Sequence, residues 1–141
     1  MRPHRGASAK LARVPRLDRR ILLAVFLGGA LGTLARAALS ETLAPDPASW
    51  PWATLLANVA GAFLLAWVVT RLPDHPRTAR WRAFAGPGLC GGLTTFSTLQ
   101  LELVRMVEAD RLALALGYAA ASVAAGLLAA RLATRLAVPA R

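Results

Sequence analysis

Residues 91–98, Gly-Gly-Leu-Thr-Thr-Phe-Ser-Thr, place two glycines and four hydroxyl side chains in eight positions of an otherwise apolar stretch. Glycine loses the most backbone freedom in a helix, and serine and threonine hydroxyls compete for its backbone groups. A membrane helix interrupted here leaves backbone groups that hydrocarbon cannot satisfy, so the break must face protein, water or an ion. The segment offers two kinds of ligand. Unwound carbonyls from Gly91 to Thr95 suit a cation, as half-helix ends do in transporters. The Phe96 ring edge carries partial positive charge, and Ser97 and Thr98 add hydroxyl donors, a set suited to a small hard anion in transit. The plainer alternative is a glycine-rich kink whose hydroxyls bond back to their own helix.

Other polar residues stand in apolar surroundings. Arg36 lies near the end of the first apolar run. It either snorkels to the headgroups or is buried against carbonyls or carboxylates beside a pore. Asn58 either bonds across to another helix or donates its NH₂ group to an anion. Glu102 follows the broken stretch by one to two turns, where a carboxylate is a partner for a hydroxyl or arginine, or a proton carrier. Tyr118 and Ser122, four apart, share a helix face and line a polar track or bond neighbouring helices. Gly28 and Gly32 have the spacing that lets two helices approach closely. Cys90, the one cysteine, excludes an internal disulfide and reads as a small packing residue. His4 and His75 have no ligand cluster around them, so no histidine or cysteine metal centre is expected.

Four spans must position these residues: about Ile21 to Leu39, Ala53 to Val69, Ala83 to Val104 and Leu112 to Ala130. Each is near the ~20 residues a helix needs to cross ~30 Å of hydrocarbon. Pro45, Pro47 and Pro51 stop helices in the first connection, and Pro73 and Pro76 in the second. Residues 105–111 read as a tight charged turn. The expected architecture is an all-α membrane protein of four transmembrane helices with a broken third, in one domain over residues 21–136. A basic, disordered tail precedes it over residues 1–20, and residues 137–141 form a short C-terminal tail. The basic start, the apolar run and Ala35-Arg36-Ala37 also fit a secretory leader, but the run is long for one and three more spans follow.

The chain is 56% hydrophobic and only 17% charged, yet its net charge is +10. If all four spans cross, 14 of the 17 basic residues fall on one side. The positive-inside rule puts that side, with both termini, in the cytoplasm. These charges suit anionic lipid better than nucleic acid, and the tail has no aromatic residue for base stacking.

At these residues the chain resembles the Fluc/CrcB family of fluoride channels over roughly residues 25 to 130. Residues 28–36, GGALGTLAR, resemble that family's first-helix motif, and residues 57–63, ANVAGAF, its second. Residues 91–98 with Glu102 resemble the third, and Tyr118 and Ser122 the polar face of the fourth. The resemblance implies four-helix subunits paired as antiparallel dimers in the cell membrane, with two fluoride pores and a structural sodium ion at the centre. Carried over, Gly91 and Thr94 supply carbonyls to sodium, Asn58 donates to fluoride, and Phe96 presents its ring edge. Ser97, Thr98, Tyr118 and Ser122 belong to the ion pathway, and Arg36 and Glu102 are structural or vestibule residues. The implied function is passive, selective fluoride export that reduces fluoride toxicity; no enzymatic activity is expected.

The chain departs from the family pattern at Leu99, where a second pore phenylalanine is usual, and beyond Ser122, where Gly126 and Ala130 continue the helix face. An antiparallel homodimer needs one sequence to insert both ways, which requires a weak charge bias. The strong bias here predicts one-way insertion and pairing with a homologous subunit of opposite bias. The competing functions are a proton-coupled exporter, disfavoured because the first two spans hold no carboxylate, and a non-conducting membrane scaffold or assembly subunit.

Overall fold

The computed structural model describes residues 18–43 and 50–138. The tail expected over residues 1–20 lies outside these, except for Asp18, Arg19 and Arg20; Pro45 and Pro47 also lie outside. Helix α1 (Arg19–Thr42) starts where the Asp18 carboxylate accepts from the Arg20 backbone N–H at 2.9 Å. Helix α2 (Trp52–Arg71) starts directly after Pro51, which has no N–H to lose at a helix entry. Helix α6 (Leu112–Ala137) is the longest at 26 residues. At ~1.5 Å per residue these three are long and apolar enough to cross hydrocarbon. They cover the expected first, second and fourth spans, and α6 runs past Ala130 to Ala137.

The third span is built from pieces. Helix α3 (Ala79–Ala83) runs directly into a π-helix over Phe84–Cys90 and then a last α-turn, α4 (Gly91–Leu93). Pro87 sits inside the π-helix. Proline has no N–H to donate, and its ring crowds the carbonyl a turn back, so a wider turn accommodates it where an α-turn would not. The helix ends at Thr94 and Thr95, both extended (ψ 153° and 120°), and α5 (Phe96–Glu108) begins after them. The expected break is therefore confined to two residues. Arg105 and Glu108 belong to α5, so the charged turn is shorter than residues 105–111. It holds Asp110 in the left-handed region (φ 58°), which aspartate tolerates better than most side chains.

Helix α1 and the segment 79–93 run parallel and meet backbone to backbone. A Cβ on Gly28 would collide with the Phe84 carbonyl oxygen, one on Gly32 with that of Leu89, and one on Gly92 with that of Gly29. The small-residue spacing on α1 thus serves close helix packing. Helix α2 packs on α6, and α5 completes a small core of Leu55, Met106, Ala115 and Tyr118. Outside this core, large apolar side chains such as Leu22, Phe26, Val69, Val123 and Leu128 are exposed. Such an exterior fits a lipid environment, and the molecule is an all-α membrane protein with a broken helix.

Candidate functional site

The break is held open from two sides. From α2, Asn58 makes two hydrogen bonds to one residue: its Nδ2 donates to the Thr95 carbonyl at 3.0 Å, and its Oδ1 accepts from the Thr95 N–H at 2.8 Å. The carboxamide here replaces the acceptor that a continuous helix would have supplied to the Thr95 N–H, and adds a second donor to its C=O, which already opens α5 as the N-cap carbonyl. An amide nitrogen carries two protons, so one remains beyond this clamp. From α1, the Arg36 Nε donates to the Gly92 carbonyl at 3.2 Å. Arg36 is half-buried and fixes the last helical turn before the break.

The break also restarts its own helix. The Thr95 hydroxyl caps α5 by accepting from the Thr98 N–H at 3.2 Å, and it shares hydrogen bonds with the Thr98 hydroxyl at 2.9 Å and the Ser97 hydroxyl at 3.3 Å. The Thr94 hydroxyl bonds back to the Cys90 carbonyl at 2.9 Å. The Thr94 side chain packs against Gly61, where a Cβ would collide with its methyl group.

These bonds decide which carbonyls lose their helical donors. In an α-helix the N–H of residue 95 would serve Gly91, and that of residue 98 would serve Thr94. Here the first goes to Asn58 and the second to the Thr95 hydroxyl. The carbonyls of Gly91 and Thr94 are released by this diversion, whereas those of Gly92 and Thr95 are taken by Arg36 and Asn58.

An open groove of about 640 Å³ runs along the break between α2 and the third span. Asn58, Gly91, Thr94, Thr95 and Phe96 border it, and among the described residues no aspartate, glutamate, lysine or arginine does. Phe96 is 71% exposed, so its ring is free to meet a second surface or an ion. Ser97 is exposed and Thr98 half-buried.

A second polar cluster stands apart from this groove. The Glu102 carboxylate accepts from the Thr54 hydroxyl at 2.6 Å and from the Tyr118 hydroxyl at 2.8 Å, joining α5 to α2 and α6. Tyr118 is fully buried, with the Trp50 ring edge-on to it at 5.4 Å. Ser122 lies one turn further along α6, and its buried hydroxyl has no partner among the described residues. Leu99 packs against this cluster. The ten residues singled out from the sequence therefore fall into two groups, one around the break and one around Glu102.

Thr54 was not singled out as a functional residue, and Thr95 was named only for its carbonyl, not as the residue clamped by Asn58 and capping α5. Thr54 had one usable signal: it precedes Asn58 by four residues and so shares its helix face. Thr95 was readable as a helix start because threonine is a favoured N-cap type and follows the glycine-rich stretch.

Comparison with known proteins identifies the family. The profile described as CrcB-like protein, Camphor Resistance (CrcB), matches residues 23–134. A Mycolicibacterium paratuberculosis protein named fluoride-specific ion channel FluC 1 is 56% identical over 120 residues, covering 84% of this chain and 91% of its own length. The Mycobacterium tuberculosis protein of the same name is 53% identical over 124 residues, 87% of this chain and 94% of its own. Nocardia farcinica fluoride-specific ion channel FluC 2 is 45% identical over 117 residues, 82% of this chain and 84% of its own. The family match reaches into every helix described above, and the chain belongs to the CrcB family.

Proposed function

We propose that this chain is a subunit of a fluoride-selective channel, through which fluoride leaves the cytoplasm passively and its toxicity falls. The names of the relatives support this reading. The observation that carries it is the break at Thr94–Thr95, held open by Asn58 beside a groove without a formal charge. Moving a small anion into an apolar interior without replacing its water costs tens of kcal/mol. Donors that are neutral lower this cost without trapping the ion. The remaining Asn58 proton, the Phe96 ring edge and the Ser97 and Thr98 hydroxyls are such donors. Tyr118 and Ser122, in the separate cluster around Glu102, would form a further stretch of the path, where the Ser122 hydroxyl has no partner among the described residues. Glu102 anchors the Tyr118 hydroxyl, and Arg36 anchors the helix end.

The groove is open along one side of the subunit, so a second subunit is needed to close it into a pore. An antiparallel pair would place two breaks near the dimer centre. The diverted hydrogen bonds at Gly91 and Thr94 supply neutral oxygen donors, the ligand type that suits a hard cation such as sodium. A structural Na⁺ held by these carbonyls from both subunits would add positive charge between the two pores and tie the subunits together.

The basic helix ends, at Arg19, Arg20, Arg71, Arg80, Arg82, Arg131 and Arg135, face the cytoplasm in this reading. So strong a bias fixes one orientation, and the partner is then a homologous subunit inserted the other way. Leu99 at the place of a second pore phenylalanine fits a pair in which one pore does most of the conduction.

Reconstitution tests the proposal. The chain alone, and co-expressed with a second homologous subunit, is placed in liposomes loaded with fluoride, and efflux is followed with a fluoride electrode. The expected result is efflux that Asn58→Asp and Phe96→Ile abolish. Efflux from the chain alone overturns the obligate partner. No efflux in either preparation overturns the channel and leaves a non-conducting assembly subunit.

A further inference from the structure

We propose that the groove between the first turns of α1 and the start of the third span binds one anionic phospholipid. The groove encloses about 590 Å³ and lies away from the break. Arg20 and Arg80 border it, and Leu23, Leu27 and Phe84 line it with apolar surface. Trp81, 67% exposed, stands edge-on to Phe84 with ring centres 6.2 Å apart. Because α1 and the third span run parallel, Arg20 and Arg80 lie at the same end of the molecule, as do most of the described arginines.

Three observations select the occupant. First, neither guanidinium has a hydrogen-bond or ion-pair partner among the described residues. Two neighbours are committed: the Arg82 Nη1 donates to the Leu72 carbonyl at 2.6 Å, and the Asp18 carboxylate caps α1. Each planar guanidinium offers its own bidentate fork to phosphate oxygens. Second, the surface below the arginines is apolar, with Leu23 57% and Leu27 51% exposed. A free phosphate would leave that surface uncovered, whereas an acyl chain covers it. Third, Trp81 is of the residue type that settles at headgroup depth. A second copy docked symmetrically on this groove would bring four guanidiniums together, which like-charge repulsion opposes. The phosphate would lie between Arg20 and Arg80, and one acyl chain would lie along Leu23, Leu27 and Phe84.

The test uses the full chain, delipidated in an uncharged detergent and titrated with dioleoyl phosphatidylglycerol while its thermal unfolding midpoint is read. This readout is independent of fluoride conduction. The midpoint is expected to rise saturably with phosphatidylglycerol and not with dioleoyl phosphatidylcholine or glycerol phosphate. The double variant Arg20→Gln, Arg80→Gln is expected to need about 30-fold more lipid for half the effect. A control with equal charge loss, Arg19→Gln with Arg77→Gln, is expected to titrate like the parent chain. Equal weakening in both double variants overturns the proposal in favour of diffuse charge. An equal rise with glycerol phosphate overturns it in favour of a free-phosphate site. Disulfide pairing of Leu23→Cys between two copies in liposomes overturns it in favour of a second copy, the native Cys90 being buried.

Discussion

Replacing Asn58 by alanine removes both hydrogen bonds to Thr95, at 3.0 and 2.8 Å, and leaves the Thr95 N–H unpaired, while the Thr95 C=O, at the N-cap of α5, keeps the first bond of that helix. An orphaned N–H costs about 1–3 kcal/mol, and the lost second bond at the C=O about 1 kcal/mol more. The two losses together come to about 2–4 kcal/mol. If the loss is local, the equilibrium constant for holding this break falls about 30- to 900-fold. Fluoride flux from liposomes is then expected to fall steeply where this loss exceeds the margin by which the intact break is favoured. If the loss is global, the unfolding free energy in detergent drops by the same few kcal/mol. Asn58→Asp separates the two roles of the side chain. It keeps an acceptor for the Thr95 N–H but sets a carboxylate oxygen against the Thr95 carbonyl and removes the spare proton. Aspartate should therefore be at least as damaging to flux as alanine. Normal flux and normal stability in Asn58→Ala would refute the reasoning that the carboxamide holds the break. Lost flux in Asn58→Ala, with stability and hydrogen-exchange protection of α4 and α5 unchanged, would assign the side chain to the ion alone.

Gly32→Ala is expected to destabilise the fold by about 1–3 kcal/mol or more, since its Cβ would collide with the Leu89 carbonyl oxygen, whereas Gly126→Ala, with nothing within 4 Å, should be neutral or stabilising by up to about 1 kcal/mol. Chemical unfolding of the two variants side by side checks this. Thr54→Val removes the 2.6 Å bond to Glu102 at nearly constant volume and is expected to cost about 1–3 kcal/mol, read in the same assay. Phe96→Ile should leave stability within about 0.5 kcal/mol because the ring is 71% exposed, while fluoride flux falls; a large loss of stability would show the ring to be packing material. Accessibility tags at Glu41 and Arg135 should report a single orientation, with the tag at Arg135 on the cytoplasmic side; equal populations would remove the argument for a partner of opposite bias.

Much of this fold could be read from composition alone, because a membrane helix must be long, apolar and closed by charge or proline. Helices α1, α2 and α6 satisfy that rule. The break was legible because hydroxyls and glycines have no reason to crowd a span unless something interrupts it. Its location within two residues was not, since Thr94 and Thr95 are set by Asn58, which lies 37 positions away from Thr95. The π-helix was hidden for a related reason. Pro87 signals disturbance, but whether the chain kinks, stops or widens depends on α1, whose glycines let the widened turn lie against it. The partnership of Thr54, Glu102 and Tyr118 joins three helices, and only the packing of α2 on α6 brings their oxygens together. Gly28 and Gly32 showed that some helix approaches α1, without showing which.

That helix is the third span, and its identity has a consequence for synthesis. Gly92 is made 64 residues after Gly28. At about 5–20 residues per second, α1 waits roughly 3–13 s for the surface it fits. During that interval its glycine stripe faces lipid or whatever else occupies the insertion machinery. A nascent chain in this state can be captured by any helix with small residues at matching spacing, including one from another ribosome. Order of emergence, as much as final complementarity, therefore governs how faithfully this protein is assembled.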